Sequence, residues 1–321
     1  MKISSPSILD SIWFKLRKGG YVSGEDLARE LNVSKVAIWK SIRKLERLGY
    51  KIGKARRLGY KLVYQPNLPH PWRIRERLRT KLIGKRFIYY KELDSTQRVA
   101  KELAEVEDEG LVIIAERQKR GRGRLGRAWL SSVDDLKMSI VLKPSNLHPI
   151  KLGLFSLIGG LAVAKALKNL DVKLKWPNDV LLNERKVAGI LVEGKVEADR
   201  ISYIVLGIGI NVNSKKENLK GINAISIYDV LNEKQDLAEL TAKVLNELDL
   251  LYMKIGDEAR ILKEVKERLG TIGKLVKVIG LDEEFEGKAI DIDGNGFLLV
   301  NVNGNVRRVL AGDVIHLREV A

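Results

Sequence analysis

The sequence predicts a multidomain protein of the α/β (α+β) class, with domains at residues 1–64, 65–272 and 273–321. Its length of 321 residues exceeds that of one typical domain. Three short stretches of helical periodicity open the chain, strand-like and helical stretches alternate in the middle, and short alternating strands end it. These patterns predict an N-terminal winged helix-turn-helix, a central domain with a mixed sheet and a small C-terminal β-barrel.

The first domain is strongly basic. Residues 1–70 carry 15 Lys plus Arg against 5 Asp plus Glu, which places +10 of the formal net charge of +17 there. Periodicity and capping predict a helix at residues 8–16, a second capped by Ser23 and a third capped by Ser34, followed by a basic hairpin of residues 50–52 and 60–63.

This order is typical of a winged helix-turn-helix, whose third helix enters the major groove while the cations of the hairpin meet phosphates. The DNA-contacting side chains would then be Ser34, Lys35, Trp39, Lys40, Arg43, Lys44, Arg56 and Arg57. The alternative is a helical module whose basic face serves protein contact.

The rest of the chain alternates between predicted helices and strands. Three of the seven prolines fall in residues 64–72, which indicates a linker. We expect helices at 72–82, 96–106, 150–169 and 236–269, the third apolar nearly all round and therefore buried. The expected strands are 86–93, 111–115, 138–142, 186–193, 201–213, 275–279, 285–292, 297–302 and 306–310. A further strand is expected to end in the polar turn of residues 173–179.

Residues 116–129, here called the arginine loop, hold three glycines and five arginines between two apolar strands. Backbone N–H groups of such a loop close around an anion while arginines supply charge and forked donors, so we expect phosphate or carboxylate binding. The spacing Gly121-x-Gly123-x-x-Gly126 also fits the dinucleotide fingerprint, but the required helix does not follow, and no Walker motif occurs. The alternative is a disordered basic loop that contacts nucleic acid.

Composition excludes several chemistries. The chain has no cysteine, so no disulfide, thiolate nucleophile or thiolate metal site is possible. Its three histidines lack metal-ligand spacing, and we expect no metal held by the protein. The N-terminus does not resemble a signal peptide and no run reads as long and apolar enough to span a bilayer, which predicts a cytoplasmic protein without membrane contact.

Five segments, taken in order, resemble the biotin protein ligase family. They are Asp94-Ser95-Thr96, Gly121-Arg122-Gly123-Arg124-x-Gly126-Arg127-x-Trp129, Lys175-Trp176-Pro177-Asn178-Asp179, Lys186-x-x-Gly189-Ile190-Leu191-x-Glu193 and Gly207-Ile208-Gly209-Ile210-Asn211-Val212-Asn213. With the N-terminal module, the whole chain resembles the bifunctional form, a ligase that also represses the biotin operon. The resemblance implies a central fold like that of class II synthetases and biotin ligases.

The resemblance also implies a reaction. Biotin and ATP with Mg²⁺ would give biotinyl-5′-AMP, which passes biotin to a lysine of a biotin carboxyl carrier protein. Lys186, Arg124 and Asp179 would be catalytic, the last of them as a base. Biotin would contact Ser95, Thr96, Gln97, Gln118, Gly121, Arg122, Gly123, Arg124, Lys186, Gly189, Gly207 and Gly209, and the adenylate would contact Arg124, Arg127, Trp129, Asn178, Lys186 and Asn211.

Competing interpretations remain for these residues. Ser95 is also a plain helix cap, Gly207 and Gly209 are also strand-packing glycines, and the family usually has Asn where Gln97 stands. The rival functions are a ligand-sensing transcription factor without ligase activity and a lipoate ligase. In the bifunctional interpretation the adenylate orders residues 122–127 and 213–224, and a homodimer binds operator DNA through residues 1–64.

Overall fold

The N-terminal part folds as three helices and a hairpin. The computed structural model describes residues 2–5, 7–219, 223–280 and 283–317. The elements are α1 (Ile8–Leu16), α2 (Gly24–Glu30), α3 (Lys35–Arg47), β2 (Lys51–Ala55) and β3 (Gly59–Tyr64), preceded by a strand β1 (Lys2–Ser5). Ser34 accepts a hydrogen bond from the Ala37 amide at 3.1 Å and so begins α3 as predicted.

The central part is built on an eight-stranded sheet. Its elements are α4 (Pro71–Arg75), β4 (Arg86–Leu93), α5 (Thr96–Leu103), β5 (Leu111–Gln118), β6 (Leu136–Leu142), α6 (Leu154–Ala166), β7 (Val172–Lys175), β8 (Asp179–Leu182), β9 (Arg185–Glu197), β10 (Arg200–Ile210), α7 (Ile227–Leu231), α8 (Leu237–Tyr252) and α9 (Glu258–Lys266). The strand order is β1-β4-β5-β6-β10-β9-β8-β7. Since β4 and β5 are parallel and the other pairs antiparallel, the predicted mixed sheet is confirmed.

The two faces of this sheet are covered unequally. The large core lies on the side of α6 and α8, whereas α5 seals a smaller core formed with Ile88, Ile113, Val141 and Val205. Successive side chains of a strand point to opposite faces of the sheet. Lys137 and Ser139 of β6 therefore face the same side as Val141, and Gly207 and Gly209 of β10 face the same side as Val205. The part of that face not covered by α5 forms the floor of the cleft described below.

Strand β1 was not predicted. It pairs antiparallel with β4 and forms one edge of the central sheet, with Lys2 opposite Tyr90 and Ser5 opposite Phe87. The chain therefore starts at the sheet, forms the helical unit and returns to the sheet through residues 65–85.

Helix α6 is the predicted buried helix. All eleven residues from Leu154 to Ala164 are buried against the sheet and α8. The segment Pro149–Ala166 is long and apolar enough to cross a membrane by length and composition, so the expectation that no run has that length is wrong. Its burial is that of a core helix, which passes the same test.

The four helices predicted beyond residue 70 are all shorter in the structure, two of them for a visible reason. The segment predicted at 236–269 forms α8 and α9, separated at Gly256, whose φ of +112° is incompatible with a continuing helix. The helix predicted at 72–82 ends at Arg75. Beyond it, Asp249 of α8 accepts hydrogen bonds from the amides of residues 81, 82 and 83 at 2.8–3.0 Å, which replace helical bonds.

The C-terminal part is a five-stranded antiparallel sheet. Its strands are β11 (Leu275–Ile279), β12 (Glu284–Ile292), β13 (Leu298–Val302), β14 (Asn305–Val309) and β15 (Asp313–His316), in the order β14-β13-β12-β11-β15. Strand β15 was not predicted. Closure of this sheet into a barrel stays a prediction.

The Asp249 carboxylate gives a test of the fold. The substitution Asp249→Ala removes the acceptor of three backbone amides, and the amide of Ile83 among them is buried. We expect the free energy of unfolding to fall by about 2–4 kcal/mol. Urea denaturation measures it. Glu247→Ala on the same helix removes only a half-exposed ion pair with Lys165 and should cost less than about 1 kcal/mol. Equal losses would contradict the role of Asp249.

Candidate active site

A cleft of about 350 Å³ lies on the sheet face that α5 leaves open. It brings together most of the predicted ligand-binding residues, namely Ser95, Thr96, Gln97, Gln118, Arg122, Gly123, Arg124, Arg127, Trp129, Asn178, Asp179, Lys186, Gly189, Gly207 and Gly209. Two predicted residues lie beside the cleft without lining it. Gly121 accepts a hydrogen bond from the Trp129 amide at 2.9 Å, and the buried Asn211 donates to the Lys186 carbonyl at 3.3 Å.

The floor of the cleft is made of glycines because bulky groups rest directly on it. A Cβ at Gly209 would lie 2.4 Å from Cε2 of Trp129, and one at Gly189 would lie 2.9 Å from its Cζ3. A Cβ at Gly207 would lie 2.5 Å from Oε1 of Gln97. The packing interpretation of these glycines is therefore correct for the protein's own side chains, and ligand contact stays a prediction.

One end of the cleft is lined by uncharged hydrogen-bonding groups. The Thr96 amide and hydroxyl donate to Gln118 Oε1 at 2.8 and 3.0 Å, and Gln97 Nε2 donates to the Val205 carbonyl at 3.0 Å. The Ser95 hydroxyl is buried and has no hydrogen-bond partner among the described residues. A buried hydroxyl of this kind is satisfied when a polar ligand atom reaches it.

The arginine loop is folded over the cleft. The Gly123 amide donates to the Arg127 carbonyl at 2.7 Å, and residues Arg124–Gly126 form one turn of 3₁₀ helix with Leu125 at φ +53°. Arg124 donates to Asn178 Oδ1 at 3.3 Å and to the Gly312 carbonyl at 3.1 Å. Its burial lowers the pKa of the guanidinium.

The opposite wall carries Lys186 and Asp179. The Lys186 ammonium lies 2.6 Å from an Asp179 carboxylate oxygen and 5.4 Å from the centre of the Trp129 ring. Asp179 and Lys186 come together because β8 and β9 are consecutive antiparallel strands. Lys186 and Asp179, both predicted from the sequence to be catalytic, are therefore direct partners, and their catalytic roles stay predictions.

The C-terminal sheet closes the third side, which the sequence did not predict. Asp313 forms an ion pair with Arg127 and lies 3.7 Å from Arg124, and Ile279, Val314 and Ile315 line the cleft beside it. The cleft thus contains six basic residues, Arg122, Arg124, Arg127, Lys137, Lys175 and Lys186, against two acidic ones, Asp179 and Asp313. This excess of positive charge suits a polyanionic ligand.

Comparison with known proteins assigns the family. Residues 89–211 match the biotin/lipoate A/B protein ligase family, residues 9–61 an HTH domain and residues 271–317 the biotin protein ligase C-terminal domain. The bifunctional ligase/repressor BirA of Bacillus subtilis is 34% identical over 306 residues, covering 92% of this chain and 93% of that protein. The chain belongs to the biotin protein ligases, in their bifunctional ligase/repressor form. The BirA of Escherichia coli is 30% identical over 310 residues, covering 93% and 94%.

A solved structure shows the same fold for most of this ligase. Biotin protein ligase from Aquifex aeolicus in complex with biotin and ATP aligns with a TM-score of 0.61 and 31% identity. The alignment covers 73% of this chain and 99% of the Aquifex chain. The match of residues 9–61 confirms the predicted helix-turn-helix unit, and this alignment confirms the predicted ligase fold.

The predicted DNA-contacting side chains of the ligase are all at least partly exposed. Lys35, Trp39, Lys40 and Arg43 are exposed on α3 and Lys44 is half-exposed, whereas Ile38 and Ile42 on the other side are buried. Arg56 and Arg57 are exposed at the turn between β2 and β3. Ser34 is exposed and caps the start of the same helix.

Two cleft residues of the ligase were missed in the sequence because they lie within an apolar strand. Ser139 donates to Thr96 Oγ1 at 2.9 Å. Lys137 is 2% exposed and donates to the Glu116 carbonyl at 2.7 Å and to the Ser132 carbonyl. Glu116 and Ser132 flank the two ends of the arginine loop, so this ammonium holds the ends together. The available signal was a lysine and a serine in a largely apolar strand.

Lys137 gives a test by pH. Burial lowers its pKa from the ordinary 10.5 to about 8. Between these values the unfolded chain binds more protons than the folded one, so the free energy of unfolding contributed by this group rises with pH. The difference in the free energy of unfolding between the wild type and Lys137→Met should rise by roughly 3 kcal/mol from pH 8 to pH 10.5. Denaturation at pH 7.5 to 10.5 measures it.

The exposed Lys234 supplies the control. The difference between the wild type and Lys234→Met should stay flat over the same pH range. A flat difference for Lys137→Met as well would show that its ammonium is not in a desolvated site.

Proposed function

We propose that this ligase makes biotinyl-5′-AMP from biotin and ATP and transfers biotin to a lysine of a biotin carboxyl carrier protein. The observation that carries the proposal is the convergence of the arginine loop and Lys186 on one cleft with an excess of positive charge. The Aquifex ligase, whose structure holds biotin and ATP, shares this fold. The names of the relatives favour biotin over lipoate, and the ligase cleft argues against a transcription factor without catalytic activity.

The first step joins two anions. A carboxylate oxygen of biotin attacks the α-phosphorus, the bond to the β-phosphate breaks, and pyrophosphate leaves with its Mg²⁺. Repulsion between the carboxylate and the triphosphate must be offset by cations fixed in a site of low dielectric constant. Lys186, Arg124 and Arg122, which line the cleft, would do this, and Arg127 would bind the nucleotide.

The two ends of the cleft differ in chemistry as the two substrates do. The uncharged end, with the unpartnered Ser95 hydroxyl, Thr96, Gln97, Gln118 and Ser139, suits the ureido ring of biotin, which is neutral and rich in donors and acceptors. The Trp129 ring and Asn211 would lie on the adenine side, and Asn178 beside the ribose-phosphate. Biotin would contact the glycine floor beside the Trp129 ring and the Gln97 amide, which already lie against it.

The second step transfers the biotinyl group. The ε-amine of the carrier lysine attacks the acyl carbon, the bond to the phosphate oxygen breaks, and AMP leaves. Asp179 would accept the proton of the attacking amine, in exchange for its contact with Lys186.

We also propose that residues 1–64 bind operator DNA as a winged helix, with α3 in the major groove and the β2–β3 hairpin as the wing. The support is the set of exposed basic side chains on α3 and on the hairpin, together with the exposed Trp39 of α3. In this proposal the adenylate promotes a homodimer on a two-fold operator. The segment 213–224, expected to be ordered by the adenylate, lies partly outside the described residues.

Lys186→Ala tests the first step. The loss of the ammonium should lower the rate of biotin-dependent pyrophosphate exchange by about 100-fold or more. The negative charges of the biotin carboxylate and the α-phosphate would then lack one of the cations that offset their repulsion. Thermal unfolding should stay close to that of the wild type. Lys195→Ala, which removes an exposed ion-paired lysine of the same strand, is the control and should exchange normally. Normal exchange in Lys186→Ala, or no adenylate by mass spectrometry in the wild type, would refute the proposal.

Arg43→Ala tests DNA binding. The loss of one phosphate-contacting cation should weaken operator binding by about 10-fold and reduce the slope of log K against log salt by about 1, with ligation unchanged. A gel shift with biotin and ATP measures affinity at several salt concentrations. Lys18→Ala, an exposed cation outside α3 and the hairpin, should bind like the wild type. Unchanged binding by Arg43→Ala would exclude α3 as the reading helix.

A further inference from the structure

A cluster of four buried aromatic side chains joins the N-terminal unit to the central sheet. Tyr50 lies three residues beyond the end of α3. Its hydroxyl is 2.9 Å from His70 Nδ1 and accepts a hydrogen bond from Trp72 Nε1 at 2.8 Å. The His70 ring stacks on Trp72 at 4.9 Å and packs against Tyr89 of β4 at the same distance. All four side chains are at most 3% exposed.

The cluster continues to the start of the arginine loop. The Tyr89 hydroxyl donates to a carboxylate oxygen of Glu116 at 2.5 Å. Glu116 is the first residue of the loop, and its carbonyl accepts the Lys137 ammonium. A continuous series of buried contacts therefore leads from the end of α3 to the residues that hold the two ends of the loop together.

The segment that carries His70 is held firmly in place. Arg73, 3% exposed, donates to the carbonyls of Pro66 and Leu68 and to Asp236 at 2.6–3.0 Å. The Asn67 side chain donates to the Gln235 carbonyl and accepts a hydrogen bond from the Leu237 amide, at the start of α8. Burial, with the charge of Arg73, lowers the pKa of His70 to about 3, so the ring is neutral at physiological pH and its contacts do not change with protonation there.

We propose that Tyr89 and Tyr50 are positioning residues that brace Glu116, and with it the arginine loop, against the DNA-binding unit. This rests on the proposed function, in which the loop retains the adenylate. Without the Tyr89 hydroxyl, the buried Glu116 carboxylate loses a donor and the start of the loop shifts toward solvent. Because coupling between two sites is reciprocal, adenylate binding and DNA binding would then change each other's affinity by the same factor.

Phenylalanine variants separate this role from stability. Tyr89→Phe and Tyr50→Phe keep the rings and remove the hydroxyls. The matched control is Tyr252→Phe, since the Tyr252 hydroxyl donates to Glu109 and this pair also links a largely buried tyrosine to a glutamate, away from the cluster. Unfolding of all three variants by urea shows whether their losses of stability are comparable.

Two measurements on the full chain report the loop directly. The first is the rate of tryptic cleavage within residues 117–127 of the protein alone, which needs no adenylate. The second is the half-life of biotinyl-5′-AMP on the protein after removal of free biotin and ATP. We expect each Tyr89→Phe and Tyr50→Phe rate to rise about 5- to 10-fold, the double variant to be no faster than the faster single one, and Tyr252→Phe to match the wild type.

The outcomes distinguish this proposal from the proposed function. If the wild type forms no adenylate, the proposed function fails, and the tryptic rates still decide whether Tyr50 braces the loop. If Tyr50→Phe and Tyr89→Phe are cleaved and release adenylate at the rate of Tyr252→Phe, the bracing role is wrong. Additive effects of the two substitutions would also overturn it, because a single series of contacts predicts that either break is sufficient.

Discussion

The site depends on holding several cations close together in a small volume. Six basic side chains line a cleft of about 350 Å³, and their mutual repulsion is offset in part by Asp179 and Asp313. Both carboxylates come from strand ends, one in the central sheet and the other in the C-terminal sheet. A phosphate that enters the cleft can take their place, because arginine and lysine form the same charge-assisted bonds with it. The C-terminal sheet is therefore part of the site and not an appendage to it.

What the sequence predicts well is set by local patterns. The strand at residues 275–279 and the caps of α2 and α3 agree with the structure because alternation and capping depend on neighbouring residues. The four-residue strands β1 and β15 were missed, since their length carries too little periodicity and their pairing with β4 and β11 is long-range. The end of α4 was also misplaced, because Asp249 of a distant helix takes over the hydrogen bonds of that segment.

The same distinction holds within the site. The glycines and arginines of the loop could be recognised because their residue types and spacing carry the chemistry. Lys137 and Asp313 could not, for different reasons. A lysine in a largely apolar strand has no evident role in the sequence. Its role is visible only in the structure, where its ammonium donates to the carbonyls of Glu116 and Ser132. Asp313 reaches Arg124 and Arg127 only through the packing of two domains, which no pattern within either domain encodes.

The connection between the domains shows how two activities share one chain. Three prolines predict a linker, and residues 65–70 indeed lie outside the helices and strands, yet this segment is packed and not free. The buried guanidinium of Arg73 and the ring of His70 hold it against α8 and the sheet. Buried polar groups of this kind cost free energy when misplaced, so they select one arrangement over other compact ones. The orientation of α3 is thereby tied to the same sheet that forms the cleft.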